Sequence, residues 1–434
     1  MKQVSIDLPG DKSLSHRAAI FASMAKGKSR IKNFLAAEDT LHTLKAFEKL
    51  GVNIQQINKT EYKIDSFGYS SFQNKVADIY VGNSGTGARL LTGLFAGTSG
   101  IQVTLDGDKS LRKRPMKRIT EPLMAAGAHI EPSDHLPYTV YGKKLLPIFW
   151  EEKLGSAQVK SALILAAIAS QQSIRLEEKK PSRDHTENML RYAGVFLEKE
   201  PAEEGYIIEL EPDQVLNPME YHILSDASSA AFFLVLGLHL PNLQIKANRV
   251  LLNPYRIAYL DVLEKMGAKL HIQKISEQCG EQGGHITTLP SELTNVSISS
   301  NLIPALIDEL PILTIAAALS KGEFSFRGAK ELRKKESDRI HALVTNLRIL
   351  GYEVEEYEDG LSFIGNPNYI PEKNVKLNSF YDHRIIMSFE IFQAIVQKRQ
   401  NVTSTFLSFD DTSWVQTSFP EFYFILQTIS LLDD

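Results

Sequence analysis

Cations and hydroxyls gather at the openings of short, small-residue apolar runs along this chain. Lys12, Ser13 and Arg17 open KSLSHRAAIFASMA, and Ser84, Thr86 and Arg89 open NSGTGARLLTGLFAG. Ser156, Gln158 and Lys160 open SAQVKSALILAAIAS, and His383 and Arg384 open DHRIIMSFEIFQAI. Runs of this kind read as helices. A helix start already presents unpaired backbone N–H groups and the positive end of the dipole. Side-chain cations and hydroxyls added there make a place for phosphate and carboxylate groups. Two other segments carry dense charge: Arg112-Lys113-Arg114-Pro115 with Lys117 and Arg118, and ELRKKESDRI from Glu331 to Ile340. Taken singly, each feature has a plainer reading. The basic run is a solvated face, and ELRKKESDRI is a surface helix with Glu331 and Lys335 at i,i+4. Asp226 and Ser228 are N-caps, and Gly82–Gly85 is an ordinary turn. Their joint occurrence points instead to small, multiply anionic ligands. The formal net charge is -4, so the cations are concentrated rather than general, which argues against a nucleic-acid binder.

The elements that must position these residues repeat. One pattern, a helical apolar run followed by glycine and a strand-like segment, occurs around Gly51, Gly127, Gly194, Gly267 and Gly351. Glycine there suits the left-handed residue that closes a helix before a strand. Pro420 to Leu431 reads as a sixth such helix. Between these lie the small-residue helices, whose copies open at Asp11, Gly82, Ser156, Asp226, Asp308 and Asp382 and lead into strand-like segments such as IQVTLDG and EFSFRG. The two elements alternate strictly at roughly 70- to 80-residue intervals, a period too long for a solenoid and suited to a six-fold repeated α/β unit.

With 434 residues the chain predicts two domains of roughly 200 residues each. Hydrophobic residues make up 43% and charged residues 23%, the balance of a soluble globular protein. Cys279 is the single cysteine, which excludes an internal disulfide framework and fits a reducing compartment. MKQVSIDLPG has no signal-peptide core, and apolar stretches such as Ile312–Leu319 fall short of a membrane span. A cytoplasmic protein with no membrane or nucleic-acid partner is the expectation.

GDKSLSHR, GNSGTGAR, GDKSLRKRPM, SAQVKSALILAA, SRDHTENML, DASSAAFFLVL, DELPILTIAAA, ELRKKESDRI, DHRIIMSF and TSFPEF follow one another from about Leu8 to Phe422. In this order they resemble the 5-enolpyruvylshikimate-3-phosphate synthase family of enolpyruvyl transferases. KSLSHR, SLRKRPM and KKESDRI are the specific segments; the glycine turns are not. The resemblance implies an α/β fold of six βαββαβ units, three per domain. One domain is implied to combine residues 1–10 with 226–434, and the other to span 11–225. The active site is implied to lie in the cleft between halves that close on the substrates. It also implies a reaction: the 5-hydroxyl of shikimate 3-phosphate adds to C2 of phosphoenolpyruvate, C3 is protonated, and the tetrahedral intermediate then loses a methyl proton and phosphate. The substrates are small molecules, no metal or organic cofactor is needed, and a monomer is expected.

Residue roles come from the same resemblance. Asp308 is expected to be the base on the hydroxyl, and Glu336, aided by Lys12, to transfer protons at C3. Lys12, Arg114, Arg339 and Arg384 are expected to bind phosphoenolpyruvate, with Gly85, Thr86 and Gln158. Arginine suits this work because its fork makes paired bonds to carboxylate and phosphate. Lys12, Ser13, Arg17, Ser156, Ala157, Gln158, Arg183, Asp308 and Lys335 are expected to bind shikimate 3-phosphate, Ala157 through its backbone alone. His383 orients Arg384 rather than reacting. Glyphosate, in this family, occupies the phosphoenolpyruvate site, where the room at Gly85 matters. The chain departs from the pattern at Thr417, where many relatives carry a lysine. Two alternatives stand beside this reading. The sister transferase acting on UDP-N-acetylglucosamine usually carries a first-half loop cysteine and an early Lys-Asn pair, where this chain has Cys279 and Lys12-Ser13. The other is a catalytically silent binding protein on the same fold, since fold alone does not imply function.

Overall fold

The computed structural model describes residues 2–371, 375–401 and 404–432. Its repeat is clearest in the segment that begins at Val76. A strand (Val76–Tyr80) leads into a buried helix (Gly85–Gly97) and a second strand (Gln102–Asp106). A one-sided helix (Lys117–Ala125) and a hairpin (His129–Glu131, Tyr138–Tyr141) complete the unit. The first two strands pair in parallel, and the hairpin adds antiparallel. Among the described residues five four-stranded sheets share this order, and a sixth sheet has two parallel strands, Val375–Leu377 and Leu407–Phe409.

The α/β class therefore stands, but where a repeat is continuous, as from Val76 to Tyr141, its order is βαβαββ rather than βαββαβ. The reason is connectivity. Parallel neighbours need a crossover helix, whereas antiparallel neighbours can be joined by a short turn. The five glycines that close the second helices all have positive φ, from 80° at Gly51 to 100° at Gly267. The segment near the C-terminus forms the helix Phe422–Leu432.

The chain divides into two compact units. Unit 1 is Met1–Pro9, Ser225–Ser276 and Gln282–Asp434; unit 2 is Gly10–Leu224 with Glu277–Glu281. Each unit holds three sheets, and each completes one of them with a strand from a distant part of the chain. The strand Lys2–Asp7 pairs in parallel with Leu243–Leu251 in unit 1, and Glu220–His222 pairs with Lys26–Lys32 in unit 2.

The first helix of each repeat is the core element. Every residue of Ala227–His239 and of Leu310–Ala318 is buried, as an apolar helix without a polar face requires. Strands such as Glu61–Phe67 alternate buried and exposed positions, which places one sheet face on the helices. In unit 2, Gly85–Gly97 lies hard against Ala157–Ser170. A Cβ on Gly93 would stand 2.1 Å from the Ala162 carbonyl oxygen, and one on Gly97 2.3 Å from that of Ala166. These two glycines set the approach that brings the helix openings together, and Gly93→Ala would force them apart. Among the described residues no single helix is long and apolar enough to cross a membrane.

Candidate active site

In unit 2 three helix openings converge, joined by hydrogen bonds. Asp11, Ser84 and Ser156 cap the helices Lys12–Met24, Gly85–Gly97 and Ala157–Ser170. His16 ties the first opening to the second, with Nε2 3.2 Å from Ser84 Oγ and Nδ1 2.8 Å from Thr43 Oγ1. Burial, with Lys12 and Arg17 nearby, holds its pKa far below the ordinary value, so it stays neutral and serves as a hydrogen-bonding strut. Gln158 ties the third opening to the second: Nε2 donates to Thr86 Oγ1 at 3.0 Å, and Oε1 accepts from Arg89 at 2.6 Å. Arg17 ties the first to the third. Its Nη2 donates to Ser161 Oγ at 2.9 Å, Nε to Thr186 Oγ1 at 2.8 Å, and Nη1 to the Ser13 carbonyl at 3.0 Å.

The basic run divides by function. Arg112 forks onto Asp106 and Lys117 pairs with Asp134 at 3.3 Å, both near the surface. Arg114 turns the other way and donates to Asn83 Oδ1 at 2.9 Å. Asn83 in turn donates to Asp108 at 2.6 Å. The position of a Cβ on Gly85 lies 3.0 Å from Arg89 Nη1 and 3.3 Å from Arg114 Nη1. Gly85, Thr86, Arg89, Arg114 and Gln158 thus form one group. Lys12 is ion-paired with Asp39, at the start of the next helix. Ser13, Ser156 and Ala157 stand half-buried at the same openings. Arg183 is half-buried in the turn that precedes the helix His185–Tyr192, close enough to Arg17 to act on its charge.

Unit 1 brings carboxylates and cations together. The helix Leu310–Ala318 has Glu309 at its N-cap with no side-chain cap bond, and Asp308 stands just before it. The Asp308 Oδ1 lies 3.3 Å from Lys335 Nζ and 3.5 Å from Arg339 Nη1. Arg339 is 1% exposed, and its guanidinium also meets Glu336 Oε2 at 2.6 Å and Asp382 Oδ2 at 2.8 Å. Burial alone would raise the Asp382 pKa, but Arg339 outweighs it and holds the group below its ordinary value. Arg384 Nη1 donates to the Asp308 carbonyl at 2.7 Å, and its backbone N–H donates to Asp382 at 2.9 Å. His383 opens the same helix, His383–Gln400. ELRKKESDRI is not a continuous helix. A short turn at Lys330–Lys334 ends before Lys335, and Asp338 caps a new helix, Arg339–Ile349. That break places Lys335, Glu336 and Arg339 around Asp308. Thr417 donates its hydroxyl to the Trp414 carbonyl at 2.7 Å.

Sequence reasoning passed over Asp39, Asn83 and Asp382 as members of these groups and counted Arg89 among the cations of the helix openings without giving it a ligand. Arg89 stands three residues after Thr86, one helical turn on, which is a usable signal. Asn83 adjoins the glycine turn. Asp39 and Asp382 carry no such signal, because each meets its partner only through tertiary packing.

Fold and site define a transferase class: repeated α/β units, with cations and hydroxyls at helix openings in one and flanked carboxylates in the other, suited to multiply anionic small molecules. The model of the family described as EPSP synthase (3-phosphoshikimate 1-carboxyvinyltransferase) matches residues 3–426. The 3-phosphoshikimate 1-carboxyvinyltransferase of Leptospira interrogans serogroup Icterohaemorrhagiae serovar copenhageni is 44% identical over 440 residues, covering 99% of this chain and 98% of that protein. The enzyme of the same name from Caldicellulosiruptor saccharolyticus is 42% identical over 429 residues, covering 98% and 96%. A solved structure of EPSP synthase from Acinetobacter baumannii aligns with a TM-score of 0.84 at 33% identity, over 99% of this chain and 95% of that one. The chain belongs to the EPSP synthase family.

Proposed function

We propose that this protein transfers the enolpyruvyl group of phosphoenolpyruvate to the 5-hydroxyl of shikimate 3-phosphate and releases phosphate. The observation that carries the mechanism is the setting of Asp308. A carboxylate held at 3.3 Å from Lys335 and 3.5 Å from the buried Arg339 is fixed in place, as a group that accepts a proton must be. Asp308 takes the hydroxyl proton as the oxygen bonds to C2 of phosphoenolpyruvate. The electrons of the C2–C3 double bond collect a proton at C3, which Glu336 delivers with Lys12. Proton removal from the resulting methyl group then re-forms the double bond as the C2–O bond to phosphate breaks.

Binding falls to the remaining groups. Gly85, Thr86, Arg114, Gln158, Arg339 and Arg384 hold phosphoenolpyruvate, and Arg89 joins them through its contact with Gln158. Ser13, Arg17, Ser156, Ala157, Gln158, Arg183 and Lys335 hold shikimate 3-phosphate. Neither a nucleic acid nor a membrane enters the reading.

The test is phosphate release from phosphoenolpyruvate with each acceptor in turn. Turnover with shikimate 3-phosphate and none with UDP-N-acetylglucosamine is expected. The reverse would assign the sister activity, and none with either would leave a silent binding protein.

A further inference from the structure

Beneath the shikimate 3-phosphate residues of unit 2 lies a fully buried lysine with two fully buried glutamates. Lys160, one turn into the helix Ala157–Ser170, has its Nζ 2.8 Å from Glu178 Oε1 and 2.7 Å from Glu187 Oε1. All three side chains are 0% exposed. The first contact is a hydrogen bond. The second is an ion pair without hydrogen-bond alignment, which leaves both Glu187 oxygens without a hydrogen bond among the described residues. Burial works against the Lys160 ammonium, but Glu187 and Glu178 outweigh it, so the lysine stays charged. A core that carries such a cluster where apolar residues would serve at least as well calls for a reason.

Each member of the cluster adjoins a residue of the site above it. Lys160 is next to Ser161 and Glu187 next to Thr186, the two hydroxyls that receive Arg17 and stand 2.6 Å from each other. Glu178 accepts hydrogen bonds from the Ser182 backbone N–H, at 3.0 Å, and from its hydroxyl. It thereby closes the turn that carries Arg183. The charges also balance only as a set. Lys160 and Arg17 face Glu178 and Glu187, while Asp11, Glu281 and Arg183 act on Arg17 from outside the set. Burial pulls the Arg17 pKa down to about 10, and Glu187 is the leading charge that opposes it.

We infer that Lys160, Glu178 and Glu187 act as a buried positioning cluster that sets how much of the Arg17 charge is free to meet an anionic substrate. Lys160 neutralises one glutamate. Without it both carboxylates draw on Arg17 from below, and its field at the substrate is cancelled. The inference rests on the proposed reading that Arg17 binds shikimate 3-phosphate.

The test is a charge series in the full-length protein, reading Kd and KM for shikimate 3-phosphate against kcat and the KM for phosphoenolpyruvate. Lys160→Met should weaken shikimate 3-phosphate by roughly tenfold, the size of a typical coupling between neighbouring charges, with a smaller change in kcat. Glu187→Gln shifts the balance the other way and should leave affinity undiminished or tighter. Lys160→Met with Glu187→Gln restores neutrality and should recover most of the loss. A merely structural cluster would weaken binding in both single variants and more in the double, and that order would overturn the inference. If Lys160→Met fails to fold, the other two variants still decide it: weakening in Glu187→Gln overturns it, and undiminished affinity there with near-parental affinity in the double supports it. Arg17→Lys separates the premises. Unchanged affinity in that variant would remove Arg17 from the site. Weakened affinity there, with a Lys160 series that ignores charge, would overturn the cluster's role alone.

Discussion

The Lys12–Asp39 pair apart, the two units handle charge in opposite ways. Around Arg17, Thr86 and Gln158, unit 2 meets its cations with hydroxyls, an amide and backbone carbonyls, and keeps its glutamates a layer deeper. Around Arg339, unit 1 packs Asp308, Glu336 and Asp382 directly onto the guanidinium. Neutral partners leave a cation's charge available to a bound anion. Carboxylate partners use up the charge but are themselves fixed in place, and a fixed carboxylate can move protons. On the proposed function, recognition falls mainly to unit 2 and proton transfer to unit 1.

Asp308→Asn is the most direct way to break that comparison. The amide cannot accept the hydroxyl proton, so kcat should fall about 100-fold or more while both substrates still bind. Near-normal turnover of the purified variant would take proton transfer away from unit 1.

Gly85→Ala sharpens the unit 2 side. A methyl there would press on the far ends of Arg89 and Arg114, which lie 3.0 and 3.3 Å from the Cβ position. Competitive inhibition by glyphosate should weaken by about tenfold or more, while KM for phosphoenolpyruvate, the shorter ligand, rises less. An alanine variant as sensitive as the parent would show that this turn does not line the ligand.

A smaller loss is expected from Arg114→Lys. A point charge cannot replace a fork, so calorimetry should show phosphoenolpyruvate weakened by about tenfold and shikimate 3-phosphate by much less. Equal weakening of both would give the basic run to the fold.

Asp382→Asn tests the carboxylate packing of unit 1 through pH, with the smallest effect. A depressed folded pKa means that the stabilisation is complete above the ordinary value of 3.8 and is lost as pH falls through the lower folded value. The variant should be less stable at neutral pH, and its urea midpoint should fall less steeply below about pH 4 than the parent's. An identical acid dependence in both proteins would mean that Asp382 gains nothing from Arg339.

Local chemistry in the sequence determined the repeat. Glycines that must adopt positive φ, small-residue apolar runs and their alternation declared six α/β units, and polar helix openings declared where anions would be met. Gly51, Gly127, Gly194, Gly267 and Gly351 were legible because a left-handed residue is a local demand. The order of strands was not, since pairing joins segments far apart, as Lys2–Asp7 with Leu243–Leu251 shows. The same holds within the site. Tertiary packing alone decided that Asp308 faces Lys335, that Asp39 takes Lys12, and that Asp382 takes Arg339. Charge pairs form over a few ångströms of space, whatever the separation along the chain, and only the packed helices set that distance.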